Sequence, residues 1–293
     1  MSGSAPDFSI IIPTYNRPAP LGDCLSALTR LDYPRDRFEV IIVDDGSTVP
    51  IGDVAETFGD RLDLTVLAVP HTGPARARNL GADRARGRYL AFTDDDCSPR
   101  HSWLRALDAR ARLAPGAALG GRTVNAFPEN LCSTLSHLIV EVAYACYNAD
   151  PEQGRFFASN NLAVPAADFR DLGGFDPEFA TAEDRDLCQR WLDHGGRLVY
   201  APDAVVEHAH RLTPASLWRQ HFAYGRGAYR FHRRHPAWRR LEIDRRFYRD
   251  LAVGPFRQER PGRAVLLALL LALQQAANAA GFLAEMMARP GLP

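Results

Sequence analysis

Short polar segments follow apolar, β-branched runs at several places in the sequence. Asp94-Asp95-Asp96 follows a run that ends at Phe92, and Asp44-Asp45 follows a run that ends at Val43. Three adjacent carboxylates repel one another unless a cation or hydrogen-bond donors compensate their charge. Carboxylate oxygens suit Mg²⁺ or Mn²⁺, ions that take further ligands from phosphate and water. The acidic run therefore predicts either a metal and diphosphate site or a solvated turn that caps the next helix.

A second pair of acids, Glu183 and Asp184, lies at the start of a predicted helix, Ala182 to His194. Asp184 is in phase with the apolar positions Leu187 and Trp191, so it is predicted to point inward. Glu183 is rotated from it by about 100° on an ideal helix, so one acid rather than both is expected to act as a base. The segment also fits a capping box, in which Asp184 only accepts a hydrogen bond from a backbone N–H.

Other polar side chains at strand ends have two interpretations each. Tyr15 either stacks on a base or packs under its loop. His208 and His210 lie on one face of a strand by alternation, and each either binds a metal or is only hydrogen-bonded. Arg76 and Arg78 lie in the early turns of a predicted helix, and at least one of them is expected to reach an anion.

The elements that must position these residues alternate in type. Apolar runs predict strands at Phe8 to Ile12, Phe38 to Val43, Leu64 to Val69 and Arg88 to Thr93, with helical stretches between them. This alternation is typical of an α/β fold with a mostly parallel sheet covered on both faces. Ligands of such sheets bind at the carboxyl ends of the strands, where the polar segments lie.

The remaining elements suggest two parts of the chain. We predict a domain over residues 1–210, with a donor half at about 1–114 and an acceptor half at about 115–210, followed by an arginine-rich helical extension over 211–293. The acceptor half contains a predicted helix, Glu129 to Asn148. Its predicted strands are Phe156 to Val164, Leu198 to Tyr200 and Ala204 to Glu207. The only plausible boundary between segments is expected near Pro255 to Pro261.

Composition narrows the class of protein and its location. The 293 residues include 35 basic residues, all arginine, and 35 acidic ones, so the overall charge favours no nucleic-acid partner. Five scattered cysteines without a CxxC spacing and an N-terminus without a secretory pattern predict a cytoplasmic protein. The uncharged segment Ala264 to Ala284 is long enough to span a bilayer, but Gln274, Gln275 and Asn278 cluster on one side of it. Spanning, internal packing and attachment of this C-terminal region to the inner face of the cell membrane stay open.

A family resemblance rests on seven segments between Phe8 and His210. They are IIIPTYNR, VIIVDDGS, GPARARNLG, YLAFTDDDCSP, SNNLAV, LGGFDPEF and AEDRDLCQRW. In combination and in this order they resemble the family 2 glycosyltransferases, whose nucleotide-sugar-binding fold is called GT-A. The resemblance implies a GT-A domain with a helical C-terminal extension. Gln189-Arg190-Trp191 lacks the two-residue gap of the QxxRW motif of processive members, so processive synthesis is not inferred.

The resemblance also assigns roles to matching residues. It implies that Asp184 is the catalytic base and that Asp96 and His208 bind a divalent metal, Mg²⁺ or Mn²⁺. The donor-binding residues that it implies are Pro13, Thr14, Tyr15, Asp45, Arg76, Asn79, Asp94 and Asp95. Asn161 and Glu183 are implied on the acceptor side.

The implied reaction is inverting transfer of a sugar from a nucleoside-diphosphate sugar to an acceptor hydroxyl. The acceptor is a glycan, a lipid-linked molecule or a small molecule that the sequence does not identify. A catalytically silent nucleotide-sugar or glycan-binding protein is the alternative, although Asp94, Asp96 and Asp184 together favour an enzyme. A nucleotidyltransferase is disfavoured because no GxGxRxxP-type loop follows the first strand.

Overall fold

The structure, a computed structural model, describes residues 5–236 and 245–289. These residues form two compact units. Unit 1 comprises the described residues of Met1–Val124, Asp150–Glu178 and Glu183–Ala209, and unit 2 comprises those of Asn125–Ala149, Phe179–Ala182 and His210–Pro293. The last segment of unit 2 starts at His210, and the extension is predicted from residue 211. Residues of the predicted acceptor half lie in both units.

The described chain contains eight strands and ten α-helices. The strands are β1 (Phe8–Thr14), β2 (Phe38–Asp44), β3 (Leu64–Ala68), β4 (Tyr89–Phe92), β5 (Cys97–Pro99), β6 (Ala118–Asn125), β7 (Leu162–Pro165) and β8 (Leu198–His208). The helices are α1 (Pro18–Leu28), α2 (Gly52–Glu56), α3 (Pro74–Arg84), α4 (Trp103–Leu113), α5 (Leu131–Tyr147), α6 (Ala166–Asp171), α7 (Glu183–Asp193), α8 (Pro214–Arg234), α9 (Arg245–Gln258) and α10 (Pro261–Ala288).

Unit 1 is built on one sheet with the strand order β3-β2-β1-β4-β7-β6-β8-β5. The first four strands of this order are parallel, whereas β4 with β7, β6 with β7 and β5 with β8 are antiparallel. Nearly every residue of β1 and β2 is buried, as expected for parallel strands covered on both faces. The predicted α/β fold is confirmed, and the sheet is mixed because β7 pairs antiparallel with β4 and β6, and β5 with β8.

The four N-terminal strands lie where the sequence predicts them, but two later predictions differ from the structure. Of Phe156 to Val164, only the last residues are extended, because Ser159–Asn161 form a 3-10 turn before β7. The strands predicted at Leu198 to Tyr200 and Ala204 to Glu207 are one strand, β8. This strand continues through the exposed Pro202 and Asp203, residue types that conceal the continuity in the sequence.

Helices pack closely on the core in both units. In unit 1 a Cβ at Gly81 of α3 would lie 2.6 Å from the side chain of Ile11, so glycine lets this helix approach β1. In unit 2 a Cβ at Gly281 of α10 would overlap the carbonyl oxygen of Phe222, and one at Gly225 of α8 would overlap that of Asn278. The backbones of α8 and α10 are therefore in direct contact.

All five cysteines are free thiols. Cys24, Cys97 and Cys188 are buried in unit 1, and Cys132 is buried in unit 2. Cys146 is partly exposed. The scattered spacing in the sequence thus corresponds to separate thiols.

Candidate functional site

The carboxyl ends of three adjacent parallel strands bring the polar segments of unit 1 together. Thr14 ends β1, Asp44 ends β2 and is its register partner, and the Asp94-Asp95-Asp96 run follows β4. The Asn16 side chain links two of these ends, since its Oδ1 accepts hydrogen bonds from the backbone N–H groups of Thr48 (2.7 Å) and Val49 (3.1 Å). The polar segments thus meet at the carboxyl ends of the strands, where the strand-end rule places ligands of such sheets.

Arg17 compensates the negative charge of Asp95 and Asp96. Its guanidinium nitrogens lie 2.9 Å from an oxygen of Asp95 and 2.9 Å from an oxygen of Asp96. The Thr14 hydroxyl donates a hydrogen bond of 2.8 Å to the other Asp95 oxygen. Burial raises the pKa of Asp95 to about 6, although Arg17 and Thr14 oppose the shift. The electrostatic compensation that three adjacent carboxylates require is thus supplied in part by the protein itself.

Asp96 and His208 form a mixed oxygen and nitrogen pair. The Asp96 Oδ1 lies 3.3 Å from Nε2 of His208, which ends β8. Burial raises the pKa of Asp96, but His208 and Arg17 outweigh burial and hold that pKa well below its usual range. Burial lowers the pKa of His208, and Asp96 more than reverses this effect. Within the described residues, one ligand atom each from Asp96, Cys97 and His208 lies within 4.8 Å of the others.

This pair has the donor set of a divalent-metal site. One carboxylate oxygen and one imidazole nitrogen suit Mn²⁺ and leave positions for phosphate and water. The residues predicted as ligands, Asp96 and His208, are thus brought together, and they fit such an ion. His210, the alternative histidine, belongs to unit 2.

An aromatic pair lies beside the second acidic segment. The Tyr15 ring stacks on His71 with a centroid distance of 4.2 Å, and 42% of Tyr15 is exposed. Nδ1 of His71 is 2.9 Å from Asp45. Asp45 also accepts hydrogen bonds from the backbone N–H groups of Thr72 (2.7 Å) and Gly73 (2.9 Å). Asp45 therefore orders the loop before α3, and the exposed aromatic face next to it suits a flat ring.

Arg78 connects the acidic run to α7. The guanidinium of this buried residue lies 2.7 Å from Asp94 and 3.1 Å from Glu183. Burial raises the pKa of Glu183, the charge of Asp184 adds to the shift, and Arg78 opposes it. Glu183 is thus buried and paired with an arginine. Its acceptor-side role stays a prediction.

Asp184 lies next to this ion pair and is partly exposed. Its carboxylate accepts hydrogen bonds from the backbone N–H groups of Arg185 (2.8 Å) and Ser159. Burial raises its pKa, and these hydrogen bonds and Arg78 only partly compensate. The Thr181 hydroxyl donates to the carbonyl oxygen of Ala223, and Asp184 accepts a hydrogen bond from a backbone N–H, as its alternative interpretation predicts. Asp184 therefore has the environment of a base that takes up a proton more readily than an ordinary aspartate.

Three predicted donor residues take different positions. Pro13 is partly buried in β1, and Arg76 is exposed on α3. Asn79 binds the backbone of Phe175 on both sides of its amide, with its Nδ2 2.7 Å from the carbonyl oxygen and its Oδ1 2.9 Å from the N–H. This contact fixes the turn at Gly174, where a Cβ would lie 2.6 Å from Asn79. Roles of these residues in donor binding stay predictions.

Asn161 lies in the interior of unit 1. It is fully buried, its Oδ1 accepts a hydrogen bond from the Trp103 indole (2.9 Å), and its Nδ2 donates to the carbonyl oxygens of Arg122 and Ala204. The amide is satisfied inside the protein, and a role of Asn161 on the acceptor side stays a prediction. In the SNNLAV segment Asn161 stands between Asn160 and Leu162, and these neighbours give no sign of the internal role.

Sequence reasoning missed Arg17 and His71 as members of the site. Arg17 lies in the PTYNR segment, where a cation close to three acids would have been a usable signal. His71 follows β3, the fourth parallel strand, so the strand-end rule also applied to it. Its stacking partner Tyr15 could not be identified from spacing, because the contact joins distant parts of the chain.

Two family models match the chain. The model described as Glycosyl transferase family 2 matches residues 9–159, and the one described as Glycosyl transferase family group 2 matches residues 129–278. The Pre-mycofactocin glycosyltransferase of Mycobacterium tuberculosis is 32% identical over 239 residues, which cover 78% of this chain and 48% of that protein. The chain thus spans about half the length of this relative.

Solved structures show the same fold. The mannosyltransferase PcManGT from Pyrobaculum calidifontis, in complex with GDP-Man and Mn²⁺, aligns with a TM-score of 0.68 and 21% identity over 98% of this chain and 88% of that one. S. aureus TarS in complex with UDP-GlcNAc aligns with a TM-score of 0.56 and 19% identity over 94% of this chain and 89% of that one. These likenesses establish a GT-A-like fold. Because the family 2 model matches more than half of the residues, the chain belongs to glycosyl transferase family 2.

Proposed function

We propose that the chain transfers a sugar from a nucleoside-diphosphate sugar to an acceptor hydroxyl with inversion at the anomeric carbon. The observation that carries the proposal is the convergence of Asp96 and His208, 3.3 Å apart, in the unit where Arg78 ties the acidic run to the helix bearing Asp184. One end of this network suits a diphosphate with its cation, and the other end offers a base. PcManGT, which shares the fold, was solved with GDP-Man and Mn²⁺, a ligand set of the proposed class.

Asp96 and His208 would hold a divalent ion, Mg²⁺ or Mn²⁺, which neutralises charge on the leaving phosphates when it is bound. Arg17 and Arg78 lie on either side of the acidic run and supply further positive charge. Tyr15 and His71 offer an aromatic surface for the base of the nucleotide. Positioning and electrostatic stabilisation by these residues would supply most of the rate acceleration.

In the reaction itself, Asp184 accepts the proton of the acceptor hydroxyl. The hydroxyl oxygen forms a bond to the anomeric carbon while the bond from that carbon to the phosphate oxygen breaks. The nucleoside diphosphate leaves from the opposite face, so the configuration inverts in a single displacement. No covalent enzyme intermediate is needed, which agrees with a single base candidate at the start of α7.

The acceptor is a glycan, a lipid-linked molecule or a small molecule bearing a hydroxyl. Nucleotide-sugar donors and free thiols favour the cytoplasm, and α10 favours attachment to the inner face of the membrane. Among the described residues, α10 is the one helix whose length and composition would allow it to cross a membrane, which is weak support alone. A catalytically silent binding protein is the competing proposal.

Thermal unfolding in the presence of nucleotides tests the donor site. Nucleoside diphosphates and nucleotide sugars of each base series should be compared with and without Mn²⁺, for the wild type and for Asp96→Ala. A donor at about 100 times its Kd stabilises the folded state by about 2.7 kcal/mol, which raises Tm by several degrees. We expect this shift for one base series, dependent on Mn²⁺, and its loss in Asp96→Ala.

Asp60→Ala is the matched control, because Asp60 is an exposed aspartate of the same unit outside the site. It should retain the Mn²⁺-dependent shift. A wild-type protein whose Tm no nucleotide changes, at donor concentrations up to the millimolar range, would contradict the proposed donor site.

A further inference from the structure

The outward face of α10 is an apolar stripe along nearly the whole helix. Its exposed large side chains are Val265, Leu266, Leu269, Leu283, Met286 and Met287. Between them the exposed positions are alanines, and residues 264–284 contain no charged side chain. Leu269 is 64% exposed and Met287 is 70% exposed. We call this surface the α10 stripe. At 1.5 Å per residue it is about 30 Å long, far more than the scattered apolar residues of an ordinary surface.

The opposite face of α10 is fixed to α8 within unit 2. Gln274 lies 3.0 Å from Nδ1 of His221, and both side chains are buried. Near the end of the helix, the buried Glu285 accepts hydrogen bonds of 2.7 Å from Arg226 and from Arg230. Together with the backbone contact at Gly281, these interactions hold α10 to α8 from Gln274 to Glu285.

Positive charge is concentrated in the same part of the chain. Residues 211–293 contain 15 arginines and five acidic residues, whereas the whole chain has a formal net charge of zero. Arg260 directly precedes α10 and Arg289 directly follows it, so both ends of the stripe carry a cation. An apolar stripe bounded by arginines is complementary to an anionic lipid surface, whose headgroups attract arginine and whose acyl region takes up leucine and methionine.

We propose that the α10 stripe lies flat in the interface of an anionic phospholipid bilayer, with α10 parallel to the membrane plane. The proposal rests on the membrane attachment included in the proposed function and specifies its mode. It excludes a spanning helix for a physical reason. Because α8 is fixed to α10 and carries Arg219, Arg226, Arg230, Arg233 and Arg234, insertion of the pair would place these charges in hydrocarbon.

Vesicle flotation of the full chain tests this mode of binding. Phosphatidylcholine vesicles are compared with vesicles that contain about 30% phosphatidylglycerol, at low and at high salt. We expect binding to the anionic vesicles, weakened by salt because exposed charges are screened. Carbonate extraction at high pH should release the bound protein, since an interfacial helix is not held as a spanning one is.

A paired substitution tests the stripe directly. Leu266→Gln with Leu269→Gln should lower the partition coefficient at least tenfold, because two leucine side chains no longer enter the apolar region. Leu113→Gln is the matched control, since Leu113 is 77% exposed but lies in unit 1. Far-UV circular dichroism verifies folding, and an unchanged Mn²⁺-dependent nucleotide shift in the double variant separates loss of the membrane surface from loss of the donor site.

Three results would overturn the proposal. If the wild-type protein fails to float with anionic vesicles, an anionic bilayer is not its partner. Protein that resists carbonate extraction is spanning rather than interfacial. A wild-type dimer that the double substitution converts to a monomer, measured by light scattering, would assign the stripe to a second copy of the chain.

Discussion

At the scale of single residues, the environment of Asp184 explains how an aspartate could act as a base. Its pKa is raised by burial, and the neighbouring Glu183 is buried and paired with Arg78. A base of higher pKa accepts a proton in the transition state with a larger driving force. Arg78 forms an ion pair with the buried Glu183, whereas Asp184 is partly exposed.

Substitution of this one carboxylate should separate catalysis from binding. Asp184→Asn keeps the size of the side chain but removes the base, and general base catalysis contributes about 10² to 10⁴ in rate. We expect kcat of donor turnover to fall by that factor, while the nucleotide-induced Tm shift persists. Steady-state release of nucleoside diphosphate measures the rate.

The control for this substitution lies on the same helix. Asp193→Asn changes an exposed aspartate at the end of α7 and should leave kcat unchanged. Equal turnover by Asp184→Asn and the wild type would exclude Asp184 as the base, and no turnover by either would favour the silent binding protein.

At the scale of elements, the α8–α10 pair contains a buried histidine, His221, whose protonation would destabilise the fold. His221 lies 3.0 Å from Gln274, its ring is 5.2 Å from Tyr224, and His210 contributes charge nearby. Burial lowers the pKa of His221 to about 4, and His210 adds to the shift. The helix pair therefore requires a neutral imidazole.

This requirement makes unit 2 sensitive to acid. In the unfolded chain a histidine takes up a proton near pH 6.5, but folded His221 does so only near pH 4, so stability falls as the pH drops between these values. Between pH 7.5 and pH 5 the loss attributable to His221 is about 2 kcal/mol. His221→Gln should lack this part of the pH dependence in denaturant unfolding, whereas His194→Gln, an exposed histidine of unit 1, should keep it. Parallel pH curves for the wild type and His221→Gln would contradict the assigned ionisation.

The elements differ in how far the sequence predicts them. β1 and β2 are predictable because buried parallel strands are uninterrupted apolar runs. The two predicted pieces of β8 could not be joined in advance, since Pro202 normally ends a strand. The 3-10 turn at Ser159–Asn161 was missed because its side chains are fixed by tertiary contacts such as Trp103 with Asn161.

At the scale of the whole molecule, the sequence predicts which strand ends lie close together better than it predicts which part of the chain belongs to which unit. Asp96 and His208 were predictable as a pair because the family resemblance assigns both to one metal site, and the structure places them 3.3 Å apart. The assignment of Asn125–Ala149 to unit 2 was not, since those residues join the helices around His210–Pro293 only through tertiary packing. The stripe on α10 likewise needs the structure, because composition alone does not say which face of a helix is covered.

The burial of four thiols has a consequence for following the protein in solution. Burial raises the pKa of Cys24, Cys97, Cys132 and Cys188, so these sulfurs are both protonated and shielded from reagents. A thiol-directed alkylating reagent would then modify them only during transient opening, at a rate proportional to the open population. Cys132 belongs to unit 2 and the other three belong to unit 1. Mass spectrometry of the alkylated peptides would therefore measure the opening rate of each unit separately.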